Sequence, residues 1–246
     1  MMKLKCCWLY HDIMDLYGDK GNIMVLTKRC MDRGIQFELD TCSIGEEKDF
    51  SQYHLLFLGG GADKEQRLLA EDLRSKKDSI VKALDAGTFM FLVCGGFQMF
   101  GQYYIDSHQN KIEGLKIFDY YTESMPKNKR AIGNILIQTK LEDETYDVIG
   151  FENHGGMTKG ITTPFGRVIK GYGNNGEDQG EGFLHEQVLG TYIHGPLLPK
   201  NPKVADYIIY KSLKKEYQDL TFASLLPLDD TLENQARSVM IKRISN

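Results

Sequence analysis

The chain has 246 residues, 41% hydrophobic and 26% charged, with a net charge of −4, a length that accommodates one large domain with a well-buried core. Lys and Arg are spread along it, which argues against a nucleic-acid footprint, and no apolar run reaches the roughly 18 residues of a membrane span. The apolar stretch near the N-terminus is too short for a signal peptide, so the cytoplasm is the expected compartment.

Residues 5–10 form a short apolar run that predicts a strand. Cys6 and Cys7 within it point to opposite faces. Five cysteines with no C-x-x-C fit a reducing compartment, and Cys6, Cys7, Cys30 and Cys42 read as small buried hydrophobes. A polar loop leads to a helix over about 21–32, which Gly34 stops as a C′ glycine. Residues 35–41 alternate like a strand, and 53–58 are a continuous apolar run closed by Gly59-Gly60-Gly61. Asp63 and Gln66 have capping-box spacing and open a charged amphipathic helix to about residue 86. Residues 88–93 are a second apolar run, followed by a helix from Gly95. Buried runs alternating with helices predict a parallel sheet covered on both faces. From 114 to 189 the pattern becomes short alternating runs (132–139, 148–152, 165–170) between Gly- and Asn-rich turns, which predicts antiparallel strands. The stretch 171–182 reads as a hairpin or mobile loop, and 203–216 and 231–244 read as helices. The economical organisation is a single domain over 1–246, with a mixed sheet and an antiparallel extension.

Cys94 stands apart from the other cysteines. Phe89-Met90-Phe91-Leu92-Val93-Cys94-Gly95-Gly96 runs a buried strand straight into a glycine pair and a helix. Ligands bind beyond the carboxyl ends of parallel strands. A sharp turn there exposes the thiol as a nucleophile elbow, and the helix dipole is expected to draw its pKa down. The amides of Gly95 and, from the triple glycine, Gly60 are candidate oxyanion donors. A cysteine nucleophile needs an acid/base partner. His194 closes the run Val188-Leu189-Gly190-Thr191-Tyr192-Ile193 before Gly195-Pro196 and is the preferred base. His154 also follows a strand and is read as loop-organising or partner-facing. No G-x-x-x-x-G-K-[ST] loop occurs, so no ATP signature is present.

These residues resemble the class I glutamine amidotransferases of the cobyric-acid-synthase type, and among them the GatD family of glutaminase subunits. The resemblance rests on Cys94-Gly95-Gly96-Phe97-Gln98 together with Leu16-Tyr17-Gly18-Asp19-Lys20-Gly21-Asn22-Ile23, Phe57-Leu58-Gly59-Gly60-Gly61, Gly150-Phe151-Glu152-Asn153-His154-Gly155-Gly156, Gly171-Tyr172-Gly173-Asn174-Asn175 and Gly190-Thr191-Tyr192-Ile193-His194-Gly195-Pro196. It implies a flavodoxin-like α/β fold, Cys94 as nucleophile, His194 as base and Arg130 as the grip on the glutamine α-carboxylate. Arg130 lies in the basic turn Lys127-Asn128-Lys129-Arg130, and Gln98 could also face bound glutamine. The resemblance further implies a heterodimer with a MurT-like, Mur-ligase-family synthetase, which would carry ATP and Mg and amidate the D-glutamate α-carboxyl of lipid II. No cofactor or metal is expected in this chain.

Two positions depart from the family pattern. Many class I members place a glutamate two residues after the histidine, where this chain has Pro196, and many have glycine where it has Leu92. The first departure leaves a dyad, or a carboxylate arriving from elsewhere, such as the partner. A catalytically silent amidotransferase-like module and a stand-alone γ-glutamyl cysteine hydrolase are the alternative readings.

Overall fold

The computed structural model describes residues 1–16, 18–126 and 129–245; Tyr17 of the first resemblance segment and Lys127 and Asn128 of the basic turn lie outside the described residues. The first half alternates as expected: β1 (Lys3–Leu9), α1 (Lys20–Asp32), β2 (Gln36–Cys42), β3 (Leu55–Leu58), α2 (Asp63–Ser75), α3 (Lys77–Asp85), β4 (Phe89–Val93) and α4 (Gly95–Phe100). Then come β5 (Tyr103–Ile105), β6 (Lys111–Glu113), β7 (Tyr121–Ser124), β8 (Ala131–Leu141), β9 (Glu144–His154), β10 (Gly156–Lys159), β11 (Gly166–Lys170), β12 (Gly180–Glu181), β13 (Phe183–His185), β14 (Val188–Thr191) and β15 (Ile193–His194). Two helices, α5 (Pro202–Leu213) and α6 (Thr231–Ser245), follow. Among the described residues no helix is long and apolar enough to cross a membrane.

The central sheet has the order β13-β14-β4-β3-β1-β2 and is parallel except for β13. Without β13 this is the flavodoxin-like order 2-1-3-4-5. Every residue of β3 and β4 is buried, which is why both read as unbroken apolar runs, and Phe57 stacks on Phe91 with centroids 5.2 Å apart. Registers Leu58↔Leu92 and Thr191↔Val93 make β3, β4 and β14 end at one level. The glycine loop, Cys94 and the segment leading to His194 therefore leave the sheet side by side.

The antiparallel part does not continue the central sheet. It forms two further sheets, β10-β7-β5-β6 and β12-β11-β8-β9-β15, the second built on the long β8–β9 hairpin. The run expected to end at His194 is split. β14 stops at Thr191, and Ile193 and His194 cross to pair with Glu152 and Phe151 of β9. The buried Glu181 carboxylate sets this break, accepting Thr191 Oγ1 at 3.0 Å and the Tyr192 amide at 2.7 Å.

Two local expectations are corrected. The helix expected over 63–86 is two helices broken at Lys76, whose ammonium is buried against Asp72 and sits 5.6 Å from the Tyr10 ring centroid. Its capping box does not form: Ala62 is the N-cap, Asp63 Oδ1 accepts the Tyr104 hydroxyl, and Gln66 bonds Gly61 and Gln98. Of the two readings of 171–182, the hairpin holds: β11 and β12 pair antiparallel, Gly166 opposite Glu181 and Arg167 opposite Gly180, and the connection between them is packed. The buried Glu152 carboxylate accepts the amides of Tyr172 (2.7 Å) and Gly173 (3.0 Å), and Asn174 bridges both backbone groups of Gly182.

Candidate active site

Cys94 has φ +48° and ψ −106°, a region that residues with a Cβ rarely occupy and the geometry expected of an elbow. Its amide donates to Thr191 O at 2.8 Å, its carbonyl accepts Gln98 N at 2.9 Å, and Leu92 is accommodated at 0% exposure. The glycines after it are required by close approach. A Cβ on Gly96 would lie 2.6 Å from Leu58 O and one on Gly95 2.9 Å from Gln66 Nε2, so α4 could not seat against the 59–61 loop.

Gly60 is the hub of the site. A Cβ there would stand 2.9 Å from His194 Cε1, 3.2 Å from Asp19 Oδ2 and 3.4 Å from Cys94 Cβ. The four residues leave the carboxyl edge from four different segments, and only glycine lets them converge. Cys94 opens onto a cavity of about 390 Å³ whose wall includes Gln98, Arg130, Asn153, His154, Tyr104 and Asp63, a size suited to a small ligand. His194, Gly60 and Gly95 stand behind this wall. Arg130 reaches it by donating Nε to Asn153 Oδ1 and Nη2 to Asn153 O, both at 3.0 Å. Gln98 lines the cavity with both ends of its amide engaged: Oε1 accepts Gln66 Nε2 at 2.9 Å and Nε2 donates to the Tyr192 hydroxyl at 3.0 Å. Of the two readings of His154, loop-organising or partner-facing, its bond to the turn fits the first and its burial tells against the second. His154 is buried at the end of β9, bonds Gly156 O through Nδ1 at 2.8 Å and stacks on Tyr192 at 3.9 Å.

The electrostatics reverse one expectation. Burial, reinforced by the neighbouring Asp19 carboxylate, pushes the Cys94 thiol up to about 12 against the opposing pull of the Gly95 amide and Arg130. Burial, with His154 and Arg130 adding to it, takes His194 down to about 3. At neutral pH the pair rests as thiol and imidazole; a six-residue helix does not offset the loss of solvent around the sulfur. A second expectation also changes: the Gly60 amide does not face an oxyanion at rest but donates to Asp19 Oδ2 at 2.6 Å.

Asp19 is the residue that sequence reasoning passed over. It precedes α1, where an aspartate ordinarily caps the helix, yet it makes no cap bond. Its carboxylate turns inward, fully buried, with Oδ1 4.0 Å from His194 Nδ1. Its place in a segment carrying the family resemblance was the one available signal.

The chain matches the family model of the CobB/CobQ-like glutamine amidotransferase domain over residues 5–202. A Streptococcus pneumoniae R6 protein named the GatD subunit of glutamine-hydrolysing lipid II isoglutaminyl synthase is 40% identical over 221 residues, covering 89% of this chain and 84% of its own. A Staphylococcus aureus N315 protein of the same name is 38% identical over 238 residues, covering 96% and 95%. A solved structure described as a glutamine amidotransferase superposes with a TM-score of 0.54 over 84% of this chain and 98% of that one, a likeness of fold at 11% identity. This chain is a glutamine amidotransferase of the CobB/CobQ-like family.

Proposed function

We propose that the chain is the glutaminase half of a lipid II-amidating enzyme, with Cys94 as nucleophile and His194 as acid/base. The observation that carries the catalytic part is the strained Cys94 elbow opening onto the cavity, with His194 gathered against the same Gly60. Glutamine enters with its α-carboxylate toward Arg130 and its side-chain amide toward Sγ. His194 takes the thiol proton as sulfur attacks the amide carbon, so the charged pair forms only as the reaction proceeds. The oxyanion faces the Gly95 amide. The imidazolium returns the proton to the departing nitrogen, releasing ammonia and leaving a γ-glutamyl thioester. Water, deprotonated by His194, then releases glutamate and restores the thiol.

The acceptor half of the reading draws on the names of the two relatives that span most of this chain. In it, ammonia passes to a MurT-like, Mur-ligase-family partner that binds ATP and Mg and activates the D-glutamate α-carboxyl of lipid II at the cytoplasmic face. Glutamine hydrolysis by wild type, Cys94→Ala and His194→Ala tests the catalytic half. Affinity capture from native extract, with hydrolysis measured before and after adding the recovered synthetase, tests the partner. A captured synthetase of another class, or none, overturns the assignment to lipid II.

A further inference from the structure

The position two residues after His194, where many class I members carry the orienting acid, holds Pro196. Pro196 is not idle in the structure. Its ring packs so closely on α1 that a Cβ on Gly21 would lie 2.5 Å from its Cγ. This contact draws the start of α1, and Asp19 with it, against the histidine segment. The Asn22 side chain secures the same junction, accepting the Leu198 amide at 3.0 Å.

We propose that Asp19 is the positioning acid of this site, holding His194 through Nδ1 with one carboxylate oxygen and the glycine loop through the Gly60 amide with the other. The proposal rests on the reading of Cys94 and His194 as nucleophile and base. Asp19 is 0% exposed, and Oδ2 makes a short charge-assisted bond of 2.6 Å to Gly60 N. Oδ1 lies 4.0 Å from His194 Nδ1 and accepts no hydrogen bond from a described residue. A buried carboxylate oxygen left in this state is costly. It becomes favourable when His194 takes the Cys94 proton and an imidazolium forms beside it; such bonds commonly tighten only as the reaction proceeds. The neighbouring acids are committed elsewhere: Asp15 accepts the Lys20 amide, Asp63 the Tyr104 hydroxyl, and Glu152 the amides of Tyr172 and Gly173.

With Asp19 on Nδ1, His194 keeps its proton there and presents Nε2 as the base. Asp19 also controls when the site can work. Burial, opposed by the Gly60 bond and aided by Asp15, raises its carboxyl to about 7. The charged and titratable groups facing the pair are Asp15, Cys94, His154 and Arg130. Among Asp19, Cys94 and His194, only Asp19 lies near neutrality.

The test compares Asp19→Asn with Asp19→Ala in the full chain. Asparagine keeps an oxygen for the Gly60 amide but removes the charge. It is expected to lower kcat for glutamine by about 100-fold or more, with KM little changed, the thermal midpoint retained and the acid limb of the pH–kcat/KM profile abolished. Alanine is expected to raise KM as well, because the loop loses its tether. Wild-type kcat and an unchanged pH profile in Asp19→Asn, with or without damage in Asp19→Ala, would show a loop tether only and overturn the proposal. Should Asp19→Asn fold poorly, nitrogen-15 NMR of histidine-labelled wild type decides, with the His194 signals assigned by His194→Gln. The expected tautomer is Nδ1–H, and Nε2–H overturns the proposal. Cys94→Ala run alongside separates the two levels: if it retains activity, the reading of the nucleophile has failed rather than the role of Asp19.

Discussion

Replacing Gly60 by alanine adds one methyl group at the point where the site converges. The new carbon would lie 2.9 Å from His194 Cε1, 3.2 Å from Asp19 Oδ2 and 3.4 Å from Cys94 Cβ, whereas carbon atoms in contact settle at about 3.5–4.0 Å. The imidazole must therefore retreat by roughly 0.6–1 Å. His194 and Asp19 are both fully buried, so neither can move into solvent, and overpacking of this kind costs about 1–3 kcal/mol. A misplacement near 1 Å in a catalytic constellation costs about 100-fold in rate. We expect Gly60→Ala to fold, with its thermal midpoint lowered by several degrees, and to lose about two orders of magnitude in kcat. Glutamate release, read by a coupled dehydrogenase, gives the rate, and differential scanning fluorimetry the midpoint. Gly155→Ala is the control, because its Cβ would meet only the end of the Arg130 side chain, Nη1 at 3.4 Å. Wild-type kcat in Gly60→Ala would refute the convergence of Cys94 and His194 on this glycine.

Two further predictions concern binding and stability. Arg130→Ala removes a guanidinium from the cavity wall and should raise KM for glutamine about 10- to 100-fold, the worth of a charged hydrogen bond, with a smaller change in kcat; an equal fall in kcat at constant KM would contradict its role. Burial raises the Glu181 carboxyl from 4.5 to about 8, so between these values the folded chain binds more protons than the unfolded one. The contribution of Glu181 to stability is then highest at the acid end of that window and declines as pH rises through it. Glu181→Gln should gain several degrees in thermal midpoint relative to wild type on going from pH 5 to pH 9, and an equal difference at both pH values would count against the buried acid.

The parts of the fold set by local pattern were legible in the sequence. The buried runs of β3 and β4, the glycine stop at Gly34 (φ +67°) and the turn at Cys94 depend on residues adjacent in the chain. What was not legible depends on residues far apart in it. The helix breaks at Lys76, whose ammonium is buried beside the ring of Tyr10 from the end of the first strand, and Asp63 forgoes a cap because Tyr104 lies above it. His194 leaves the central sheet because Glu181 takes the Tyr192 amide. The thiol was misjudged for the same reason: the helix after Cys94 can be read locally, but the burial that outweighs it is assembled from the whole carboxyl edge. Asp19 shows the limit most clearly, since its sequence context fits a helix cap and only the folded loop at Gly60 turns it into the site.

Cleavage of glutamine through Cys94 is open to one decisive measurement, rapid-quench mass spectrometry of the intact protein during turnover. Wild type should carry a γ-glutamyl adduct, mapped to Cys94 and labile to hydroxylamine. Cys94→Ala should show no adduct and no ammonia release. Undiminished glutamine hydrolysis by Cys94→Ala, or an adduct mapped to another residue, would contradict it.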